Sequence, residues 1–230
     1  MEDNKKKLIL GDGLLGSCIH NLTGWDYISR KKNGIDFSDI ETYCSFLDKY
    51  DEIINCIAHT DTYSKDREIH WNVNYKAVVD LVDYCAKNEK KTIHISTDFV
   101  YSNSVPDASE EDVPVHCQNW YGYTKLLSDA YVQLKGKKYL VLRTAQKKRP
   151  FTYEYAYINQ VGNFDYVDKI AELVVELIEE NAVGVYNVGT KKKTMFYLAS
   201  QTKDDVKPTT DLFDPSTPPD VSMDISKLVI

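Results

Sequence analysis

Apolar residues recur along this chain in two rhythms. Short apolar runs, Leu8-Ile9-Leu10, Ile53-Ile54, Ile93-His94-Ile95 and Tyr139-Leu140-Val141-Leu142, alternate with longer stretches in which apolar positions return every three or four residues. Runs of the first kind read as strands buried on both faces of a parallel sheet, and stretches of the second kind as amphipathic helices packed on it. Helices are predicted from Leu14 to Leu22, through the long segment Asp66 to Asn88 (Val73, Ala77, Val78, Leu81, Val82, Cys85), from Tyr121 onward, and from Asp165 to Asn181. A short second strand is predicted around Trp25 to Ser29. Ile53 to Ala58 reads as the fourth parallel strand in space, and Val183 to Gly189 as a late one. The stretch Asp36-Phe37-Ser38-Asp39 provides an N-cap for a helix through Leu47. The stretch Pro208 to Pro219 has no periodicity, and Ser222 to Leu228 reads as a capped final turn. Strand and helix alternate throughout, which predicts an α/β protein with a doubly wound parallel sheet of the Rossmann type.

Composition narrows the picture without changing it. The chain has 230 residues, 43% hydrophobic and 27% charged, enough to form one domain over 1–230. Within it, 1–144 reads as the sheet core, and 145–230 as its last elements plus a short further region. The net charge of -7 supplies no basic footprint, so neither nucleic acid nor an anionic membrane is an expected partner. Five cysteines without a Cys-x-x-Cys argue against a disulfide framework and a zinc site, and for a reducing compartment. The first apolar run is too short for a signal or a membrane span, so a cytoplasmic protein is expected.

The candidate chemistry sits where strands end. Gly11-Asp12-Gly13-Leu14-Leu15-Gly16 follows the first strand and opens a helix, the context in which Gly-x-Gly-x-x-Gly lets a backbone approach a pyrophosphate. At the tip of the second strand stand Ser29-Arg30-Lys31-Lys32, with no acid to hold a ribose 2′-hydroxyl. Arg30 there suits a 2′-phosphate and so NADPH, NADH remaining possible, although a solvated turn has the same composition. Ser96-Thr97-Asp98 ends a strand, and Tyr121 and Lys125 stand at i and i+4 on one helix face. That spacing lets an ammonium sit beside the phenol and draw its pKa down, while Thr97 holds the oxygen that receives the proton. A solvated helix face shows the same spacing. His59 reads as a structural hydrogen bonder. Lys147-Lys148-Arg149 reads either as a diphosphate contact or as a solvated loop.

In this order the motifs resemble the extended short-chain dehydrogenase/reductases. Asn55-Cys56-Ile57-Ala58-His59-Thr60 and Ser96-Thr97-Asp98-Phe99-Val100-Tyr101 look most like the dTDP-4-dehydrorhamnose reductase group, and Arg143-Thr144 matches its Leu-Arg-Thr. The resemblance runs from Lys7 to about Thr144. Beyond it the group's Ser-Trp is replaced by Ala145-Gln146, and the substrate region looks abbreviated. The resemblance implies Thr97, Tyr121 and Lys125 as catalytic residues. It implies a cofactor site of Gly11, Gly13, Leu14, Leu15, Gly16, Arg30, Asp36, Phe37, Cys56, Ile57, Ala58 and Thr60, joined by Tyr121 and Lys125, with the Asp36-Phe37 stretch against the adenine. It places Thr97, Asp98, Phe99 and Gln146 on the substrate, and Asn74 either behind the Tyr-Lys pair in a proton relay or in a buried cap. No metal is implied. The implied activity is NADPH-dependent reduction of a nucleotide-linked 4-keto-6-deoxy sugar, of the dTDP- or UDP-4-dehydrorhamnose kind, in deoxysugar biosynthesis. A homodimer through the 66–88 helix and the helix near Tyr121 goes with it. The alternatives are an epimerase or dehydratase of the same superfamily and a non-catalytic dinucleotide-binding regulatory subunit. Dehydratases of this kind place Asp-Glu after the strand-end threonine, where this chain has Asp98-Phe99.

Overall fold

The computed structural model describes residues 5–117, 119–211 and 217–228. Six strands form the central sheet: β1 (Lys7–Leu10), β2 (Asp26–Ile28), β3 (Glu52–Asn55), β4 (Lys91–Thr97), β5 (Tyr139–Thr144) and β6 (Gly184–Val188). Every pairing is parallel, in the order β6-β5-β4-β3-β1-β2. The long helices are α1 (Leu14–Thr23), α2 (Ala77–Lys87), α3 (Trp120–Lys135) and α4 (Val167–Glu179).

Strand alternation sorts the core into two layers. Leu8 and Leu10 of β1 share a cluster with Val78, Leu81 and Val82 of α2 and Val132 of α3. Ile9, one residue out of phase, joins Leu15 and Ile19 of α1 and Ile170, Val174 and Leu177 of α4 on the other face. The expected doubly wound sheet is therefore present. Its direction of winding reverses between β1 and β3, and ligands in such sheets bind beyond the strand ends at that crevice.

Three local expectations are modified. The helix through Leu47 is broken into a turn at Ile40–Thr42 and another at Cys44–Leu47. Tyr43 between them leaves helical geometry and buries its ring against Phe37, centroids 5.8 Å apart. Helix α2 is entered through a turn at Arg67–His70 and a π-helical stretch at Trp71–Lys76. The Ile53–Ala58 strand is third along the chain, fourth only when counted from β6, and ends at Asn55.

After β5 the chain makes paired segments too short to leave a pattern. Gln146–Lys147 runs parallel to Asp165–Tyr166, Tyr155–Tyr157 parallel to Lys207–Thr209, and Val161–Gly162 antiparallel to Lys193–Thr194. Phe151, Phe164, Tyr166, Met195 and Leu198 close a separate small core beneath them. No helix among the described residues is long and apolar enough to cross a membrane.

Candidate active site

Two hollows open beyond the C-terminal ends of the strands. The first, about 580 Å³, is walled by Gly11, Gly13, Arg30, Asp36, Phe37, Cys56, Ile57 and Ala58. Gly11 turns with φ +99, and a Cβ there would lie 2.7 Å from Ile57 Cγ1, so the turn needs glycine. Helix α1 starts at Leu14 without a side-chain cap, which leaves its first turn to face an anion. The Asp12 carboxylate accepts the Ser29 hydroxyl at 3.0 Å and ties the glycine turn to the tip of β2. Arg30 opens a short turn capped by Ser29, and its guanidinium is 3.9 Å from the Asp36 carboxylate across the groove. A dinucleotide fits these walls: a cradle without side chains for the phosphates, an exposed guanidinium, and Phe37 for a base. Leu14, Leu15 and Gly16 belong to the first turn of α1, with Leu15 and Gly16 buried in its packing.

The second hollow, about 840 Å³, is lined by Thr60, Tyr63, Phe99, Lys147, Phe151, Tyr153, Tyr155 and Tyr157, among others. Thr60, expected at the cofactor, stands here instead, because the chain has crossed the strand end by that point. Gln146 is not among the lining residues. Successive residues of an extended segment face opposite ways, and it is Lys147 that reaches the cleft. The rest of the basic run disperses: Arg149 pairs with Asp168 at 3.1 Å and lies over the Tyr166 ring.

Thr97, Asp98 and Tyr121 meet beside Phe99, a wall of the second hollow. β4 is buried along its whole length and delivers Thr97 at its end. Asn119 caps α3 by accepting the Gly122 N–H at 2.8 Å. A Cβ on Gly122 would lie 2.8 Å from the Phe99 carbonyl oxygen, so glycine lets the start of α3 close on the turn after β4. The Thr97 hydroxyl thereby touches the Tyr121 phenol, and the Phe99 ring stands edge-on to Tyr121 with centroids 5.9 Å apart. Burial pushes the phenol up to about 12; the Thr97 hydrogen bond pulls against this, and the Asp98 and Asp129 carboxylates add to it.

The Lys125 amine is held on the sheet. Lys125 is buried and turned onto the sheet, its Nζ donating to the Ile95 carbonyl at 2.7 Å and lying 3.1 Å from His94 Nε2. The helical spacing holds, and the four-carbon stem carries the amine to the Ile95 carbonyl on β4. Burial lowers the amine to about 8, against the pull of Asp129. Asp98 is buried and pushed up to about 7, with the Lys147 cation drawing it back.

Asn74 lies in the π-helical stretch, a feature that recurs at functional sites. It clamps the loop after β3, accepting the His59 N–H at 2.7 Å and donating to the His59 carbonyl at 3.0 Å. Of its two readings the buried clamp is the one seen. The His59 ring packs on His70, centroids 4.7 Å apart. Of the basic run read as a diphosphate contact or a solvated loop, Lys147 lines the cleft, whereas the aromatic residues of 151–157 were not singled out in the sequence. Their alternation at 151, 153, 155 and 157 was the available signal.

The model of the RmlD substrate binding domain matches residues 6–146. A probable low-salt glycan biosynthesis reductase of Haloferax volcanii is 35% identical over 114 residues, 47% of this chain; the chain spans 38% of that relative's length. The crystal structure of a hypothetical dTDP-4-dehydrorhamnose reductase from Sulfolobus tokodaii superposes with a TM-score of 0.81 at 26% identity, covering 96% of this chain and 93% of that one. A dTDP-4-dehydrorhamnose reductase from Bacillus anthracis, solved in complex with NADP, gives 0.81 at 21% identity over 97% and 92% of the two chains. With the family model covering more than half of its length, this chain belongs to the RmlD substrate-binding-domain family.

Proposed function

We propose that the protein reduces a nucleotide-linked 4-keto-6-deoxy sugar to the 4-hydroxy sugar with NADPH. The observation that carries this reading is the meeting of Thr97 and Tyr121 beside Phe99, a wall of the second cleft, in a chain that also forms a dinucleotide-shaped groove. NADPH, held by the glycine turn, Arg30 and the Cys56–Ala58 segment, would supply the hydride. The chain's own part is position and protons. Tyr121 stays protonated across the physiological range, so it is a donor to an oxygen that gains negative charge. Thr97 orients that oxygen, and Phe99 and the cleft tyrosines offer flat apolar faces to the sugar and its base. Lys147 is the cation beside them, suited to a phosphate. The likeness to a reductase that was solved with NADP supports the choice of cofactor.

Elimination of water is disfavoured because Phe99 occupies the place where a dehydratase needs a second acid-base group. A dinucleotide-binding subunit without turnover is the rival, and Lys125 held on the sheet by the Ile95 carbonyl is the observation on its side. Incubation with NADPH and dTDP- or UDP-linked 4-keto-6-deoxy sugars, and separately with dTDP- or UDP-glucose, followed by mass spectrometry, separates them. Reduction adds two mass units to the sugar nucleotide, a binder returns it unchanged, and a dehydratase yields a product eighteen units lighter from the nucleotide-glucose.

A further inference from the structure

One fully buried titratable side chain has no part in that scheme. His94 stands in mid-strand on β4, with 0% of its surface exposed. Its neighbours determine where its proton is. Asn55 Oδ1 accepts the Ile57 N–H at 3.0 Å, so the Asn55 atom 3.3 Å from His94 Nδ1 is the amide nitrogen, a donor. Nδ1 therefore accepts and carries no hydrogen. Burial keeps the imidazole neutral, holding its pKa well below the ordinary histidine value with help from Lys125. A neutral ring with a bare Nδ1 has its hydrogen on Nε2.

That hydrogen points into a crowded place. Nε2 is 3.1 Å from Lys125 Nζ, 3.2 Å from Ser128 Oγ and 3.8 Å from Asp129 Oδ1. Ser128 gives its own hydrogen to the Lys125 carbonyl at 2.8 Å. An ammonium on Lys125 sets N–H against N–H at 3.1 Å, whereas a neutral amine accepts the Nε2 hydrogen and still donates to Ile95. Two other titratable groups face the amine. Asp129 favours the ammonium, but its Oδ2 is engaged by Arg143 Nε at 3.0 Å. Cys56 sits with its thiol pushed up to about 12 by burial, and so adds no charge at neutral pH.

We propose, on the footing of the reductase reading, that His94 is a positioning residue for Lys125. Asn55 locks it in the Nε2–H tautomer, and in that form it holds the amine on the sheet and weakens its grip on a proton. His94 thus sets the pH at which the site gains or loses the Lys125 charge. In turnover this pH appears as the alkaline limb of kcat.

The test is nitrogen-15 NMR of the full chain labelled at histidine and lysine, which reads the proposal whether or not the protein turns over. The unmodified protein should show one non-titrating histidine in the Nε2–H form, assigned by its loss in His94→Leu. Lys125, assigned through Lys125→Met, should titrate near 8, below the exposed lysines. In His94→Leu that titration, and any alkaline limb of kcat, should move up by about one pH unit, tenfold in proton affinity. His94→Gln, which keeps an N–H donor, should restore most of the difference. An Nδ1–H ring, an imidazolium at neutral pH, a Lys125 that titrates with the exposed lysines, or an unmoved titration in His94→Leu would each overturn it. If His94→Leu does not fold, the tautomer and the Lys125 titration of the unmodified protein still decide.

Discussion

Tyr121 and Asp98 stand side by side, Asp98 buried and Tyr121 half-buried, and desolvation leaves both of them holding protons that exposed groups of their kind hold differently. For Asp98 this has a consequence for stability. Its folded pKa, about 7, lies above the unfolded value, so the folded state binds the extra proton between about pH 4 and 7 and stability falls as pH rises through that window. Asp98→Asn removes the penalty. The variant should gain on the order of 2–4 kcal/mol at pH 8 and little at pH 4, read as melting temperatures at the two values; an equal gain at both would contradict the assigned shift. The neighbouring Asp129 is held in an ion pair, with Arg143 Nε bound to it at 3.0 Å and both side chains buried. Asp129→Leu strands that guanidinium and should cost about 3–5 kcal/mol in denaturant unfolding. Thr97, Asp98 and Tyr121 were legible in the sequence because their motifs are local. The direction of Lys125 was not, since it is decided by a carbonyl and an imidazole on β4, thirty residues away. The exchange of Gln146 for Lys147 was hidden for a related reason: one residue of register reverses which side chain faces the cleft.

At the scale of elements, the strands and the long helices could be read from periodicity, since each buries enough apolar surface to impose one. The break at Tyr43 could not, because only the packed partner Phe37 makes leaving the helix favourable. The short turn that carries Arg30 follows from its Ser29 cap, and it puts a mostly exposed guanidinium on the groove wall. A charge-assisted contact to a phosphate contributes about 1.5–3 kcal/mol, and exposure favours the lower figure. Arg30→Ala should therefore weaken NADPH at least about tenfold and leave NADH nearly unchanged in calorimetric titrations; equal effects on both cofactors would make Arg30 a surface residue only. Gly122 tests the seating of α3. A methyl group there meets the Phe99 carbonyl, so Gly122→Ala should lower kcat by roughly ten- to a hundred-fold with a smaller change in cofactor affinity.

At the scale of the whole molecule, the alternation of strand and helix was enough for the doubly wound sheet, whereas the paired segments after β5 were too short to announce themselves. The cleft they build was visible only as a run of alternating aromatics. We propose the homodimer expected through the 66–88 and 120–135 helices, the first of which carries the exposed Trp71 at its entry. Light scattering at micromolar concentration should give twice the chain mass, and a monomer would contradict it. The account as a whole stands on Tyr121 delivering a proton to a sugar oxygen while NADPH is consumed. The direct measurement is the rate of NADPH oxidation with dTDP- and UDP-4-keto-6-deoxy sugars, in the unmodified protein and in Tyr121→Phe. The account predicts oxidation matched mole for mole by a reduced sugar nucleotide, and a rate at least about a hundred-fold lower in the variant. No oxidation with any of these sugars, or an undiminished rate in Tyr121→Phe, would contradict it.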